Sequence, residues 1–464
     1  MSRILVTLCF LVASLAAGAQ SSIPERLSER IPALMVRDRI PGLSIAYIEK
    51  GQVAWVRHFG VASKATGEPV RANTRFEAAS LTKVVTAYMA MQLAGSRQLD
   101  PDKPLRDYLG NNDDVGDDPR FAAVTARRVL THTAGFPNWR DSEKLTFLFA
   151  PGERFEYSGE GFVLLSKAME KITGKSYAEL AEDSVFTPLE MIHSSMVYDT
   201  ASRQLYAPRH NWLGETAYPA DYTNVNAAYS LRTTATDYAL FLSALLSGKK
   251  FDPVLFRDMM RRQSFPDPKE SPDVAWGLGI GLDSTSTGRY AWHWGDQGDS
   301  KALFVVDIDR QEGIVYFTNS ANGLSPAADI LAIAPGGNQS GIVKWVKYDK
   351  FDPAAETLLL SIRNEGAAKA MKAYVAGRKE KFPENVLNML GYALLREKKT
   401  ADAIAVFTQN TTDHPESANV WDSLGEAYME NGDKPSSIIN YEKSLRINPN
   451  NGNAAQQLKK LRGK

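Results

Sequence analysis

The sequence predicts an α+β domain followed by an all-α array of helical repeats; in the domain, N-terminal and C-terminal strands share one antiparallel sheet, with a helical subdomain between them. Three observations carry this prediction. Strand patterns stand at both ends of residues 20–340 with helical patterns between them, residues 384–464 match themselves at an offset of 34, and the composition is that of an ordinary folded chain. The 464 residues are 44% hydrophobic and 23% charged, and 54 Lys and Arg balance 54 Asp and Glu. That balance excludes a disordered chain and lacks the basic footprint of a protein that binds nucleic acid or an anionic membrane surface.

Residues 1–19 read as an export signal. Arg3 gives a positive start, Ile4 to Ala16 is an almost unbroken apolar run too short for a membrane span, and Ala17-Gly18-Ala19 precedes Gln20 as a cleavage site. The expected location is therefore periplasmic or extracellular in a bacterium, with no integral membrane span after cleavage. The single cysteine, Cys9, lies inside the signal. A mature chain without it has no disulfide, no catalytic thiol and no thiolate zinc site.

Within residues 20–340, Leu43 to Glu49 and Val53 to Phe59 flank a Lys50-Gly51-Gln52 turn and predict a β-hairpin. Helical periodicity follows over Ser80 to Leu93 and Gly161 to Ile172. Strand patterns return at Gly277 to Leu282, Tyr290 to Trp294, Leu303 to Ile308 and Gly313 to Thr318. The turn-rich Pro335-Gly336-Gly337-Asn338 marks the expected end of the domain.

Residues 341–383 read as a linker and a degenerate helical repeat broken at Gly366. Residues 384–464 read as two full repeats, because the offset of 34 pairs Leu390 with Leu424, Gly391 with Gly425, Phe407 with Tyr441 and Pro415 with Pro449. A glycine at the crossing point lets the two helices of a unit approach closely, and the proline ends the second. These positions resemble the tetratricopeptide repeat. The resemblance implies a groove for a protein or peptide partner, whose identity the residues do not give.

Three short motifs in the first domain can carry chemistry. Ser80-Leu81-Thr82-Lys83 places a serine at a helix start and a lysine one turn on, on the same face, where an amine can assist an otherwise weak nucleophile. Taken alone, the same pattern suits an N-cap serine beside a solvated lysine, and Ser247-Gly248-Lys249-Lys250 repeats it at a helix end, the wrong context. Tyr157-Ser158-Gly159 stands just before a helix, where a tyrosine is ordinarily a packing residue. His293-Trp294-Gly295 ends a late strand, where a histidine is ordinarily structural.

In this order the three motifs resemble the penicillin-recognising serine hydrolases, and within them the class C β-lactamase-like and penicillin-binding-protein-like branch. Leu130-Thr131-His132-Thr133-Ala134-Gly135-Phe136-Pro137 and Pro151-Gly152-Glu153 add to the resemblance, which spans about residues 35–330. It implies a β-lactamase/transpeptidase-like sheet and an acyl-enzyme mechanism. Ser80 is the implied nucleophile, Lys83 and Tyr157 share the proton work, and the backbone N–H groups of Ser80 and Asp296 hold the oxyanion. His293, Gly295 and Gly159 are the implied substrate-side positions, and His132 is structural. Tyrosine ordinarily ionises near ~10, so Tyr157 serves as a base near neutrality only where the Lys83 cation favours phenolate or a proton relay.

No cofactor or metal is implied. The six histidines form no H-E-x-x-H or H-x-H-x-D cluster, and there is no G-x-S-x-G elbow. Two departures bear on substrate. Gly159 stands where penicillinases usually carry an asparagine that holds the acylamido group, and His293 stands where they carry a lysine for the substrate carboxylate. Both favour an ester or peptide-like substrate over efficient penicillin turnover. Two alternatives remain at this point: a non-catalytic module binding peptides through its repeats, and a true class C β-lactamase or D-alanyl-D-alanine carboxypeptidase.

Overall fold

The computed structural model describes residues 21–463 except 111–112, 141, 218–223, 249–251, 335–339, 347–350 and 450. The expected export signal with Cys9, the expected domain end at Pro335-Gly336-Gly337-Asn338, and Lys249 and Lys250 of the second Ser-x-x-Lys lie outside the described residues. The chain divides into two compact units, the second holding residues 351–464.

The first unit is built on a seven-stranded sheet. Its strands are β1 (Gly42–Glu49), β2 (Gln52–Gly60), β5 (Val274–Trp276), β6 (Gly281–Thr285), β7 (Gly288–Asp296), β8 (Lys301–Asp307) and β9 (Glu312–Thr318), while β3 (Phe76–Glu77) and β4 (Arg232–Thr233) form a separate short ladder. The order is β2-β1-β9-β8-β7-β6-β5, and every pairing is antiparallel. The N-terminal hairpin thus adds to β9, so both ends of the domain share one sheet.

The sheet is covered on both faces, which explains why β8 and β9 are buried almost throughout instead of alternating. On one face Ile45, Tyr316, Leu303 and Trp292 pack against α1 (Ile23–Arg37), the short helix Ala327–Leu331 and the helix Ser340–Val346. On the other, Ala46, Phe317, Phe304 and Ala291 pack against α2 (Thr82–Gly95) and the helix Ala235–Ser247. α2 is buried on nearly every side, a feature of a central helix with no solvent face.

One expected strand is corrected. Gly277 to Leu282 is not one continuous strand: residues 277–280 turn between β5 and β6, and only Gly281 and Leu282 are strand, the start of β6. Gly279 adopts φ +74°, and any Cβ on Gly277 would collide with the Met259 carbonyl. Gly277 and Gly279 meet close backbone and a left-handed conformation that a β-branched residue would not accept.

The second unit is wholly helical in its regular structure. Its pairs are Pro353–Glu365 with Ala367–Gly377, Glu384–Arg396 with Thr400–Asp413, and Ala418–Glu430 with Lys434–Ile447, followed by the helix Gly452–Arg462. At the two full repeats the crossing is as the spacing predicts. A Cβ on Gly391 would lie 2.5 Å from the Phe407 ring, and one on Gly425 would lie 3.0 Å from the Tyr441 ring. Among the described residues no helix is long and apolar enough to cross a membrane.

Candidate active site

Ser80 sits in a single 3-10 turn, Ala79–Leu81, that leads directly into α2. The residue before it, Ala79, is held at φ +48°, a left-handed conformation uncommon for a residue with a Cβ. Lys83 is one turn further on. Its Nζ donates to Ser80 Oγ at 3.1 Å and to the Ala228 carbonyl at 3.1 Å. Aromatic rings enclose the amine, with the Tyr157 centroid at 4.9 Å, Phe162 at 5.8 Å and Trp139 at 5.9 Å. Lys83 has no solvent exposure, and this burial pushes its pKa down to about 7. A large fraction is therefore a neutral amine near neutral pH, able to accept a proton from the adjacent hydroxyl.

Tyr157 is placed by His132. The His132 backbone lies at φ +54°, its carbonyl accepts from Glu156 N at 2.8 Å, and its Nδ1 accepts from Ser158 N at 3.0 Å. The imidazole stacks on the Tyr157 ring with centroids 4.4 Å apart. Ser158 then caps the helix Gly159–Thr173, accepting from Gly161 N at 3.0 Å. The Tyr157 hydroxyl is buried beside Ser80 without closing a hydrogen bond of normal geometry. Burial raises its pKa well above the ordinary tyrosine range. Phenolate is thus disfavoured.

The end of β7 brings in the third motif. A Cβ on Gly295 would collide with the Ala78 carbonyl and lie 3.2 Å from Ala79 Cβ, so only glycine lets this strand close against the turn that carries Ser80. Asp296 follows and lines the same cleft as Ser80, with its carboxylate ion-paired to Lys301. The His293 ring lies 6.2 Å from the Tyr157 ring, centroid to centroid. It has no solvent exposure and does not line the cleft; its Nδ1 lies 2.7 Å from the Trp294 carbonyl, which fixes the proton on that nitrogen. Burial, helped by the Lys83 charge, pushes the His293 pKa down to about 3, so the ring is neutral at any physiological pH.

The cleft has a volume of about 1070 Å³ and contains Ser80 and Tyr157. Its walls include Trp294 of the third motif, and Trp139, Tyr229, Asn138 and Arg209, four residues that sequence reasoning did not single out. Trp139 and Asn138 follow directly on the Phe136-Pro137 stretch, so that motif was the available signal for them. Gly159 meets Trp139: a Cβ there would lie 2.5 Å from the indole. Asn138 accepts from Gly159 N both through its carbonyl and through Oδ1, each at 3.0 Å, and the second contact turns its amide NH2 away from the helix start.

The family model described as Beta-lactamase matches residues 27–336, and that described as Tetratricopeptide repeat matches residues 418–451. Penicillin-binding protein 4* of Bacillus subtilis (strain 168) is 26% identical over 314 residues, which are 58% of this chain and 66% of that protein. The chain thus covers slightly less than two thirds of that relative. Two solved structures share the fold: a class C beta-lactamase, with TM-score 0.59 and 21% identity over 67% of this chain and 95% of that one, and the D-alanine carboxypeptidase AmpC from Burkholderia cenocepacia, with TM-score 0.56 and 22% identity over 64% and 94%.

Proposed function

The chain belongs to the Beta-lactamase family, and from that premise we propose that it is a serine hydrolase that cleaves an ester or amide through an acyl-enzyme on Ser80. The contact that carries this reading is the 3.1 Å hydrogen bond between Ser80 Oγ and a buried Lys83 whose pKa is about 7. In the first step Lys83 takes the hydroxyl proton as Ser80 Oγ bonds to the substrate carbonyl carbon. The oxyanion is held by the main-chain N–H groups of Ser80 and Asp296. Neutral Tyr157 relays a proton to the leaving alcohol or amine as the carbonyl re-forms. Water then attacks the acyl-enzyme with the same groups in reverse, releasing the acid and restoring Ser80.

Esters and peptide-like amides are preferred over penicillins in this reading. At Gly159 the indole of Trp139 fills the space next to the backbone, and at the third motif a neutral, buried His293 offers no cation to a substrate carboxylate. Aromatic walls instead suit an apolar acyl group. A panel of p-nitrophenyl esters, D-amino-acid anilides and nitrocefin, run on wild type and Ser80→Ala, tests this. Ester or anilide turnover that Ser80→Ala abolishes supports the proposal; efficient nitrocefin turnover abolished by the same change overturns the substrate preference.

The domain limits of 20–340, 341–383 and 384–464, export, and a protein or peptide partner for the repeats belong to the same proposal. Export rests on the pattern of residues 1–19, and N-terminal sequencing of the mature protein checks it.

A further inference from the structure

The cleft wall at Trp139 is held in place by its neighbours in the chain. Among the described residues Trp139 makes no hydrogen bond of its own, and its indole is exposed. The loop that carries it, residues 137–140, is tied at its three other residues to the start of the helix Gly159–Thr173. The Pro137 carbonyl accepts from Ser158 Oγ at 2.8 Å. The Asn138 carbonyl accepts from Gly159 N at 3.0 Å and from Glu160 N at 3.1 Å.

The third tie runs from Arg140 to Glu160. One carboxylate oxygen of Glu160 accepts from Arg140 N at 3.2 Å, and the other accepts from Nε at 2.8 Å and a terminal guanidinium nitrogen at 2.6 Å. Glu160 thus grips the main chain and the side chain of Arg140 at once, through charge-assisted bonds that a neutral side chain does not match. Its side chain is only 8% exposed and stands in the first turn of the helix, where the helix dipole also favours a carboxylate. Arg140 reaches on to Asp114 at 2.9 Å, and Asp114 is ion-paired to Lys167 of the same helix. Asn138 and Arg140 therefore bracket Trp139, both fastened to one helix start. Between them the indole stands against Gly159, edge-on to Tyr229 at 5.6 Å and 5.9 Å from the Lys83 amine.

We propose that Glu160 is a positioning residue for acyl-group selection: by fixing Arg140 it fixes where the Trp139 indole stands, and so how closely the cleft wall meets an apolar acyl group. The kinetic consequence rests on the reading of Ser80 as the acylated residue, whereas the placement of the indole does not.

Fluorine NMR of the full-length protein labelled with 5-fluorotryptophan reads the placement without turnover. The chain has eight tryptophans, and Trp139→Phe identifies the resonance of Trp139. In Glu160→Ala that resonance is expected to shift or broaden while the others stay in place. Glu160→Gln keeps one acceptor oxygen of the two and should show a smaller change. KM for p-nitrophenyl butyrate is expected to rise about tenfold in Glu160→Ala with a smaller change in kcat, to rise less in Glu160→Gln, and to rise little further when Glu160→Ala is added to Trp139→Ala. A merely structural role would instead lower kcat through loss of folded enzyme and would add to the effect of Trp139→Ala. An unmoved Trp139 resonance in Glu160→Ala, an unchanged KM, or full additivity with Trp139→Ala overturns the proposal. Folding is checked by circular dichroism, and Glu160→Gln decides alone if Glu160→Ala does not fold. A moved resonance in a protein whose wild type turns over no ester overturns the reading of Ser80 and leaves the hold of Glu160 on Trp139 standing.

Discussion

The Cβ that Gly159 lacks would stand 2.5 Å from the indole of Trp139, so the side chain at one position determines what the other can be. Trp139 is 45% exposed and can swing away, which makes the conflict one of cleft shape more than of folding. Gly159→Asn is therefore predicted to displace the indole, raising KM for apolar p-nitrophenyl esters by about tenfold, with the melting temperature lowered by no more than a few degrees. Trp139→Ala alone should raise KM by a similar factor. Combined with Gly159→Asn it should add little, because both changes remove the same wall. Steady-state kinetics on the three variants give the coupling directly.

In the proposed reaction His132 is a positioning residue that acts through Tyr157. It supports the tyrosine loop with its ring, its Nδ1 and its carbonyl at once. His132→Ala is expected to lower kcat by about ten- to a hundredfold with a smaller change in KM, since a loosened Tyr157 costs proton transfer more than binding. His132→Asn, which retains an acceptor for Ser158 N, should recover part of the loss.

Asp283 on β6 gives a stability test with a defined pH sign. It is 1% exposed, and neither carboxylate oxygen has a hydrogen-bond partner of normal geometry among the described residues. Burial, with the nearby Asp273, pushes its pKa up to about 6. The folded state therefore holds a proton that the unfolded chain, ionising near ~3.9, has already lost. Stability from this group is full below about pH 4, falls as pH rises to about 6, and is constant above. Asp283→Asn should raise the melting temperature by a few degrees at about pH 7.5, a gain on the order of 2 kcal/mol, and change it little at about pH 4. Thermal melts at the two pH values check it.

Much of this was legible in the sequence, for identifiable reasons. The two ends of the sheet were readable because β1, β2 and β7 to β9 carry long apolar or alternating runs, and the repeats because Gly391 and Gly425 recur at a fixed offset before the rings they admit. The β5 to β6 turn was not, since Gly277 to Leu282 has the composition of a strand and only the approach of the Met259 carbonyl decides otherwise. Ser80, Lys83 and Tyr157 stand out by spacing and order, and the structure brings them close to one another. Their protonation was beyond sequence: the ring cage that lowers Lys83 comes from Trp139, Tyr157 and Phe162, residues 56 or more positions away along the chain. His293 was expected to face substrate, and its ring direction is set by a bond to its own neighbour's carbonyl, which no pattern of residue types encodes.

The central claim is that neutral Lys83 activates Ser80. It is tested most directly by the rate at which a fluorophosphonate labels the protein, followed by intact mass and peptide mapping from about pH 5 to about pH 9 in wild type and Lys83→Arg. The account predicts one adduct, on Ser80, with a rate that rises about tenfold per pH unit and levels off above about pH 7, as the amine at Lys83 loses its proton. Lys83→Arg, always charged, should label at least about a thousandfold more slowly. No adduct on Ser80, or labelling that is independent of pH and unchanged in Lys83→Arg, would contradict it.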